Sequence, residues 1–427
     1  MLLTNNPTDI ITDKSQLAQI FVSGFKSEQK IGVESEKLLV YKDSNKAVKY
    51  EDVVKILSQF DENKWQRYYE NEYLLGLKSD IGSISLEPGS QVELSLSPFE
   101  KLEDITKNLN EFYTNLETYA GKTGAKVIHY GIQPISTFDD IQVIPKKRYE
   151  YMTKYLITKG LTPYVMMRET AGIQANFDYE NEQDAIRKLS LAIKMSPIIS
   201  AVYANSPIRS GKLTQYKSFR ANSWINVDED RCGYIDKKIF DNNYQFTFND
   251  YIEVLLDVPM IFIQRENHSI QTNQTFRQFM KEGFDGIKPI LSDWENHISL
   301  YFTDVRLKSY VEIRNHDAQI PEITYSVPAF WKGIIYNKAA IEEAEKMLSK
   351  FNYEDFMQLR KASPVNTINA KIQNYRLLDL IREFFDISYA SLKQNHSGEE
   401  AYLDGIYEYI LSNKTPADDI ITNYQNL

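Results

Sequence analysis

A chain of 427 residues has room for a large buried core, and a formal net charge of −10 at neutral pH gives it a surface that repels other polyanions. Nucleic acid and anionic membrane are therefore disfavoured as principal partners. With Cys232 as the only cysteine, an intrachain disulfide scaffold and a cysteine zinc cluster are excluded.

The opening stretch MLLTNNPTDIITDKSQ lacks a basic region followed by an apolar run, and no segment has the length and apolarity of a membrane span. The expected location is the cytoplasm. Residues 1 to about 28 read as a short helical lead-in, with Leu17, Ile20, Phe21 and Phe25 at helical spacing. KIGVESEKLLVY then reads as a strand. Glu34 and Glu36 stand two residues apart on it, so their side chains share one face. Residues 50–62 read as a helix, and 64–76 are aromatic and mixed, without a clear period.

In ISLEPGSQVELSLSP, Pro88 and Gly89 mark a tight turn between two strand-like pieces, with Glu87 at the turn. SQVELSLS alternates, with Gln91, Glu93 and Ser95 on one face and Val92, Leu94 and Leu96 on the other. Residues 99–122 form an amphipathic helix with Leu102, Ile105, Leu109, Phe112, Leu116 and Tyr119 along one stripe. AKVIHYGIQP reads as a buried strand, and PKKRYEYMTKYL as a helix or turn with Arg148 near its start. GIQANFDY alternates again, placing Gln174, Asn176 and Asp178 opposite Ile173, Ala175 and Phe177. Residues 182–204 are one long helix, or two broken near Pro197. QYKSFRANSWINVD supplies Arg220, Asn222, Trp224 and Asn226 at even spacing. DWENHISLYFTDVRLKSYVEIRNHD runs from a helix into a strand on which Glu312 and Arg314 share a face. Helices are expected at 338–350, 369–393 and 398–412. Polar strands scattered from residue 34 to residue 314 argue for one α+β domain around one sheet. That domain spans 1–427, with a sheet-based core over 28–337 and a helical C-terminal part over 338–427.

The acid set is Glu34, Glu36, Glu87 and Glu93. Oxygen-only ligands suit Mg²⁺ or Mn²⁺, and Mg²⁺ commonly bridges protein carboxylates and substrate phosphates. The competing explanation for each is a solvent-facing charge on a strand. Glu312 beside Arg314 is either a metal ligand next to a phosphate-binding guanidinium or a structural cross-strand ion pair. Arg148 and Arg220 are candidates for substrate carboxylates. Gln174 and Asn176 can hydrogen-bond a substrate or simply furnish a polar strand face. Trp224, Phe330 and Trp331 can wall a pocket, although aromatic rings are more often core. No Walker A sequence, dinucleotide-binding glycine pattern, HExxH or GxSxG occurs, and the five histidines show no metal-ligand spacing.

IGVESEK, SLEPGSQVELS, PKKRYEYM, IQANFDY, SPIISAVYANSPI, RANSWINVDEDRCG, LDVPMIF, TFRQFM, DWENHISLYFTDVRLKSYVEIR and VPAFW occur in this order from about Lys30 to near the C-terminus. Together they make the chain resemble the glutamate–cysteine ligases (γ-glutamylcysteine synthetases) of the plant and proteobacterial type. The resemblance implies a catalytic domain like that of glutamine synthetase: a curved, largely antiparallel sheet whose concave face is the active site, with helices packed outside. It implies ATP-dependent ligation of L-glutamate to L-cysteine through a γ-glutamyl phosphate, with Mg²⁺, or alternatively Mn²⁺, and ATP as co-substrate. By the same resemblance Glu34, Glu36, Glu93 and Glu312 match metal ligands, with Glu87 nearby. Gln174 lies near metal and substrate, and Arg314 reaches the ATP phosphates. Arg148, Thr170, Arg220, Trp224 and Tyr251 match positions lining the amino-acid pocket, beside Asn176, Phe330 and Trp331. The chain departs from the family pattern at Glu169, Ala171 and Gly172, in a segment that borders the acceptor pocket. The plastid transit segment and regulatory cysteines of plant members are not expected here. The expected partners are small-molecule substrates, without nucleic acid or membrane, for a monomer or weak homodimer. Two other readings stand beside this one: a related ligase joining glutamate to a different amine, and a catalytically inert relative serving as a binding module.

Overall fold

The period-two alternation of IGVESEKLLVY becomes β1 (Ile31–Tyr41), the strand on which the others are assembled. The structure is a computed structural model that describes residues 7–241, 244–265 and 268–425. The first six residues of the expected helical lead-in lie outside it, and the rest forms a short 3₁₀ turn and a single helical turn ending at Val22. Eight further strands complete the sheet: β2 (Gln66–Glu70), β3 (Tyr73–Ser79), β4 (Gly82–Leu86), β5 (Val92–Leu96), β6 (Ala125–Ile128), β7 (Gly172–Phe177), β8 (Val305–Leu307) and β9 (Val311–Asp317). The order is β8-β9-β7-β1-β5-β4-β3-β2, with β6 beside the C-terminal half of β1. Every pairing in it is antiparallel. The expected α+β class is therefore present, with the largely antiparallel sheet at its centre.

The pleat sorts each strand into two faces. Val33, Ser35 and Lys37 of β1, Val92 and Leu94 of β5, Ile173, Ala175 and Phe177 of β7 and Val311 and Ile313 of β9 are all buried on the inner face. Helices α1 (Leu102–Lys122), α4 (Glu182–Val202), α6 (Pro321–Ile335) and α7 (Leu377–Gln394) supply the covering layer; the site is positioned by three more, α2 (Lys147–Leu156), α3 (Thr162–Glu169) and α5 (Phe219–Ile225). Helix α1 buries Leu102, Ile105, Leu109, Phe112 and Leu116, each contributing about 1.5–3 kcal/mol of apolar burial. Its first free N–H, that of Leu102, donates to Glu399 Oε1 at 2.9 Å, and Lys332 Nζ also reaches Glu399. The C-terminal helical part is thus tied to the sheet through the cap of α1.

Several elements differ from the sequence expectations. Residues 66–79 form the β2–β3 hairpin, whose exposed tyrosines, Tyr68, Tyr69 and Tyr73, hide any two-residue period. The buried strand expected over AKVIHYGIQP is only the four residues of β6, because β1 offers it a partner only at Leu38–Tyr41. Helix α4 runs unbroken through Pro197. Helix α6 was not expected at all. Pro321 fits its first turn, and Pro328 sits within it on a fully buried stretch, where packing offsets the lost hydrogen bond. The helix Tyr353–Asn366 also went unforeseen.

Candidate active site

Register on the open face brings the acids together in rungs. Glu36 of β1 pairs with Glu93 of β5, which pairs with Ser85 of β4. In the next rung Glu34 stands between Ser95 and Gln174, and beyond it Asn176 stands between Gly32 and Glu312. Glu34, Glu36, Glu93, Gln174, Asn176 and Glu312 therefore share one face, as their alternation in the sequence requires. Glu87 joins them from the Pro88–Gly89 turn. A side chain at Gly89 would meet the Arg168 carbonyl oxygen at 2.2 Å, so this turn demands glycine. Gln91 locks it, accepting from the Gly89 N–H at 2.8 Å and donating to the Thr170 carbonyl at 2.8 Å.

The carboxylates are held by few donors. Glu34 accepts from Asn176 Nδ2 at 2.8 Å and Glu36 from the Gly172 N–H at 2.6 Å. Glu93 accepts from Ser95 Oγ at 2.9 Å and Ser85 Oγ at 3.3 Å, and Glu87 from Tyr149 OH of α2 at 3.1 Å. Two like charges about 5 Å apart repel by about 3 kcal/mol at an effective dielectric of about 20. Burial and this repulsion move the carboxyls in one direction. Burial, then the charges of Glu87, Glu34 and Glu36, raise the Glu93 carboxyl well above the ordinary carboxylate range. Burial, with Glu87 adding to it and Arg220 opposing, pushes Glu36 up to about 7. Burial and Glu312 raise Glu34.

Glu312 behaves differently. Burial alone would raise it, but Arg306, Lys308 and Arg314 hold it well below the usual carboxylate range. Arg306, opposite it on β8, grips it with a forked pair of hydrogen bonds, and Lys308 Nζ lies at 3.3 Å. Arg306 and Lys308 were not singled out in the sequence. A tight hairpin at LKSY would have placed Arg306 opposite Glu312, and that turn was the available signal.

The cationic side of the face is built by β9 and α5. A bulge between Ile313 and His316 interrupts the β7–β9 register, and bulges re-aim side chains next to sites. Arg314, inside it, donates from Nη1 to Gln174 Oε1 at 2.5 Å and lies 3.4 Å from Glu312. Arg220 donates from Nη2 to the Arg314 carbonyl at 2.9 Å. A Cβ on Gly172 would stand 2.4 Å from the same Nη2, so glycine there lets the guanidinium cross the strand. Arg220 and Trp224 lie four residues apart on a helix, not alternating along a strand, and that spacing puts both on one side of α5. They line a pocket with Phe302, Arg314, Asn315 and Arg360. Arg220 Nε, Trp224 Nε1 and Asn315 Oδ1 are buried there without a protein partner, as is Asn176 Oδ1 on the neighbouring rung, which marks groups that a ligand would satisfy. A larger surface groove of about 980 Å³ lies between α4 and the residues Tyr244, Gln245, Phe246 and Thr247, away from the acid row.

The remaining candidates are placed as follows. Arg148 donates to Asn296 Oδ1 at 3.2 Å and Ser299 Oγ at 3.0 Å, on the Glu87 side of the face. Thr170 is buried and its hydroxyl donates to Met166 O, so it caps α3. Tyr251, Phe330 and Trp331 do not wall the pocket: all have no exposed surface. Tyr251 OH accepts from Leu307 N, Phe330 packs on Phe385, and Trp331 Nε1 donates to His316 Nε2 at 3.0 Å. Phe330 and Trp331 belong to the core because α6 turns its apolar side to the sheet. Glu169 is also buried, accepting both arms of Arg209 at 2.6 and 2.8 Å; it is a strut and presents no charge to an acceptor.

Among the described residues no three acid, histidine or cysteine side chains converge closely enough to hold a metal ion as they stand. The donor chemistry nonetheless fits a hard divalent cation. Glu34, Glu36 and Glu93 are oxygen donors whose mutual repulsion a cation would relieve. Glu312, already neutralised by Arg306, fits that role less well.

A carboxylate row facing a guanidinium pair on an open antiparallel sheet defines a class of enzymes that handle anionic substrates. Within that class the chain belongs to glutamate–cysteine ligase family 2, whose sequence profile matches residues 30–425. It is 33% identical over 419 residues to glutamate–cysteine ligase A, chloroplastic, of Oryza sativa subsp. indica, covering 96% of this chain and 85% of that protein. It is 31% identical over 424 residues to the chloroplastic glutamate–cysteine ligase of Arabidopsis thaliana, covering 98% and 80%. Among solved structures it shares its fold with the glutamate–cysteine ligase of Francisella tularensis in complex with AMP, at a TM-score of 0.56 and 14% identity, over 93% of this chain and 85% of that one. A bifunctional glutathione synthetase from Pasteurella multocida matches at a TM-score of 0.52 and 15% identity, over 97% of this chain and 50% of that one.

Proposed function

We propose that this site joins L-glutamate to L-cysteine at the expense of ATP, the first step of glutathione biosynthesis. The γ-phosphoryl group of ATP passes to a γ-carboxylate oxygen of glutamate. The cysteine amine then attacks the acyl carbon, the bond to the phosphate oxygen breaks, the amine proton is lost, and γ-glutamylcysteine, ADP and phosphate leave. Phosphoryl transfer asks the protein for position and charge neutralisation. Mg²⁺ or Mn²⁺ held by Glu34, Glu36, Glu87 and Glu93 would supply the neutralisation when bound. Arg314, held by Gln174, is aimed at phosphate oxygens, and Arg220 beside Trp224 takes a substrate carboxylate. Glu312 keeps Arg306, Lys308 and Arg314 in place. The observation that carries this reading is the Glu36–Glu93 rung facing the Arg220–Arg314 pair on one sheet face, in a member of this family.

The test is ADP release by the purified protein with Mg-ATP and L-glutamate across a panel of amines, with the product mass determined. Strong preference for L-cysteine and a γ-glutamylcysteine mass is expected. Turnover favouring another amine would move the function to a related ligase, and no turnover with any amine would leave a binding module.

The metal assignment makes a separate prediction with a definite sign. A carboxyl raised from 4.5 to about 7 in the fold stabilises it fully below the unfolded value and loses that contribution as pH rises through 7. The metal-free protein is therefore expected to lose thermal stability between about pH 5 and pH 8. Mg²⁺ binds the deprotonated form, so its gain in Tm is expected to be larger at pH 8 than at pH 6. An equal gain at both would remove the acid row as the binding site.

The same proposal takes residues 1–427 as one catalytic domain, located in the cytoplasm and acting as a monomer or weak homodimer on small molecules, without nucleic acid or membrane. What supports it is a hydrophobic core continuous from Ile11 to Ile410, an acidic net charge, and the absence, among the described residues, of a helix long and apolar enough to cross a membrane.

A further inference from the structure

Asp317 ends β9 at 2% exposure, opposite Gly172 on the acid-row face of the sheet, where several buried donors hold its carboxylate. Its Oδ2 accepts from the Asn205 N–H at 2.8 Å and from Ser206 Oγ at 2.6 Å. Its Oδ1 accepts from Ser218 Oγ at 2.9 Å and stands 3.9 Å from Arg220 Nη1. Both serines pass the contact on to α5. Ser206 Oγ accepts from the Arg220 N–H at 3.1 Å, and Ser218 Oγ caps the helix by accepting from the Ala221 N–H at 3.0 Å. One carboxylate thus fixes the backbone at Arg220 and the start of its helix, and offers a counter-charge to its guanidinium.

The guanidinium needs that counter-charge. Arg220 is 5% exposed, lies against the Arg314 backbone and shares the face with the Arg314 side chain. Two guanidinium groups repel, and burial gives them little solvent screening. Its Nε is buried without a protein partner, so the group keeps one donor for a ligand while its Nη atoms are held by the protein.

We infer that Asp317 is the positioning residue for Arg220, setting the orientation of its guanidinium across Gly172 through Ser206, Ser218 and direct charge without itself touching substrate. The effect of losing Asp317 is then the effect of losing Arg220, specific to whichever substrate Arg220 holds. In the reading above that substrate is glutamate, and the inference rests on that reading only for the substrate's name.

Asp317→Asn keeps an acceptor oxygen for Asn205 and Ser206 but turns an amide N–H₂ towards Arg220. The experiment compares Asp317→Asn, Arg220→Ala, the double variant and Ser206→Ala, measuring kcat, the KM for each of the three substrates, and Tm. Arg220→Ala is expected to raise the KM for glutamate about tenfold or more, and Asp317→Asn to raise the same KM about fivefold, with the other two within about twofold. The double variant is expected to match Arg220→Ala alone, because both remove one interaction. Ser206→Ala, which cuts only the relay to the Arg220 N–H, is expected to shift the same KM by less. If both Arg220→Ala and Asp317→Asn raise the KM for ATP instead, the substrate assigned to Arg220 is wrong and the inference stands. If Asp317→Asn moves all three KM values alike or lowers Tm without selectivity, or if the two effects multiply in the double variant, the inference is overturned. Should Asp317→Asn fail to fold, Ser206→Ala decides, and the absence of any selective shift in it overturns the inference.

Discussion

Replacing Glu93 by Gln is expected to lower kcat by at least about three orders of magnitude and to leave Tm unchanged or higher. The two halves of this result have one cause. Glu93 is buried among Glu36, Glu34 and Glu87, and its carboxyl is already raised well above the ordinary range by burial and by those neighbours. The fold therefore gains nothing from the negative charge. Gln has the same shape, and its carbonyl oxygen can still accept from Ser95 and Ser85. Glu36→Gln behaves alike, because its amide oxygen can accept from the Gly172 N–H. On the proposed metal assignment, what both variants lose is the ability to hold a cation against substrate phosphates. The added measurement is the rise in Tm with Mg²⁺, which is expected to shrink in each. A kcat near wild type at saturating Mg²⁺ would show that the rung is not a metal site, and a large fall in Tm would show that the charge serves the fold.

The part of this site carried by strands was legible, because a pleat converts sequence parity into a face. Glu34 and Glu36, Glu93, Gln174 and Asn176, and Glu312 and Arg314 were each assigned to one face from alternation. Register then places them on the same side of the sheet. Alternation within a strand says nothing about the partner opposite, and so Arg306 went unnoticed although it neutralises Glu312. The same limit applies to Tyr149, whose hydroxyl holds Glu87 from another element. Aromatic residues were the least legible. Trp224 reaches the pocket, whereas Phe330 and Trp331 are packed behind the sheet and Tyr251 is buried against its β8 edge, and composition alone does not tell a pocket wall from a core. Helix α6 shows how context overrides propensity. Its two prolines read as breakers in isolation, but one occupies the first turn and the other lies where surrounding side chains hold the helix together. The family resemblance reached the function by a separate route, and the acid rung and guanidinium pair give that route a physical counterpart in this chain.

Arg314→Ala is expected to cost about three orders of magnitude in kcat, and Arg314→Lys to recover little of it. The residue is held through both its side chain and its backbone. Gln174 Oε1 accepts from Nη1 at 2.5 Å, Glu312 lies at 3.4 Å, and the backbone N–H donates to the Asp304 carbonyl at 3.0 Å. The bulge between Ile313 and His316 breaks the ladder at this residue, so the strand gives up pairing to turn this arginine. That arrangement fixes a fork, and a fork is what binds two oxygens of one phosphate at once. A lysine in the same place keeps the charge but presents a single ammonium, and it cannot keep Gln174 engaged while reaching a phosphate. Gln174→Ala leaves the guanidinium present but free to swing, so its expected cost is smaller, about ten- to fiftyfold in kcat. The order of the three variants is therefore the decisive result. Arg314→Lys near wild type would mean that charge alone suffices and the bulge has another purpose. Gln174→Ala more damaging than Arg314→Ala would mean that Gln174 acts on substrate directly, with the arginine serving to orient it.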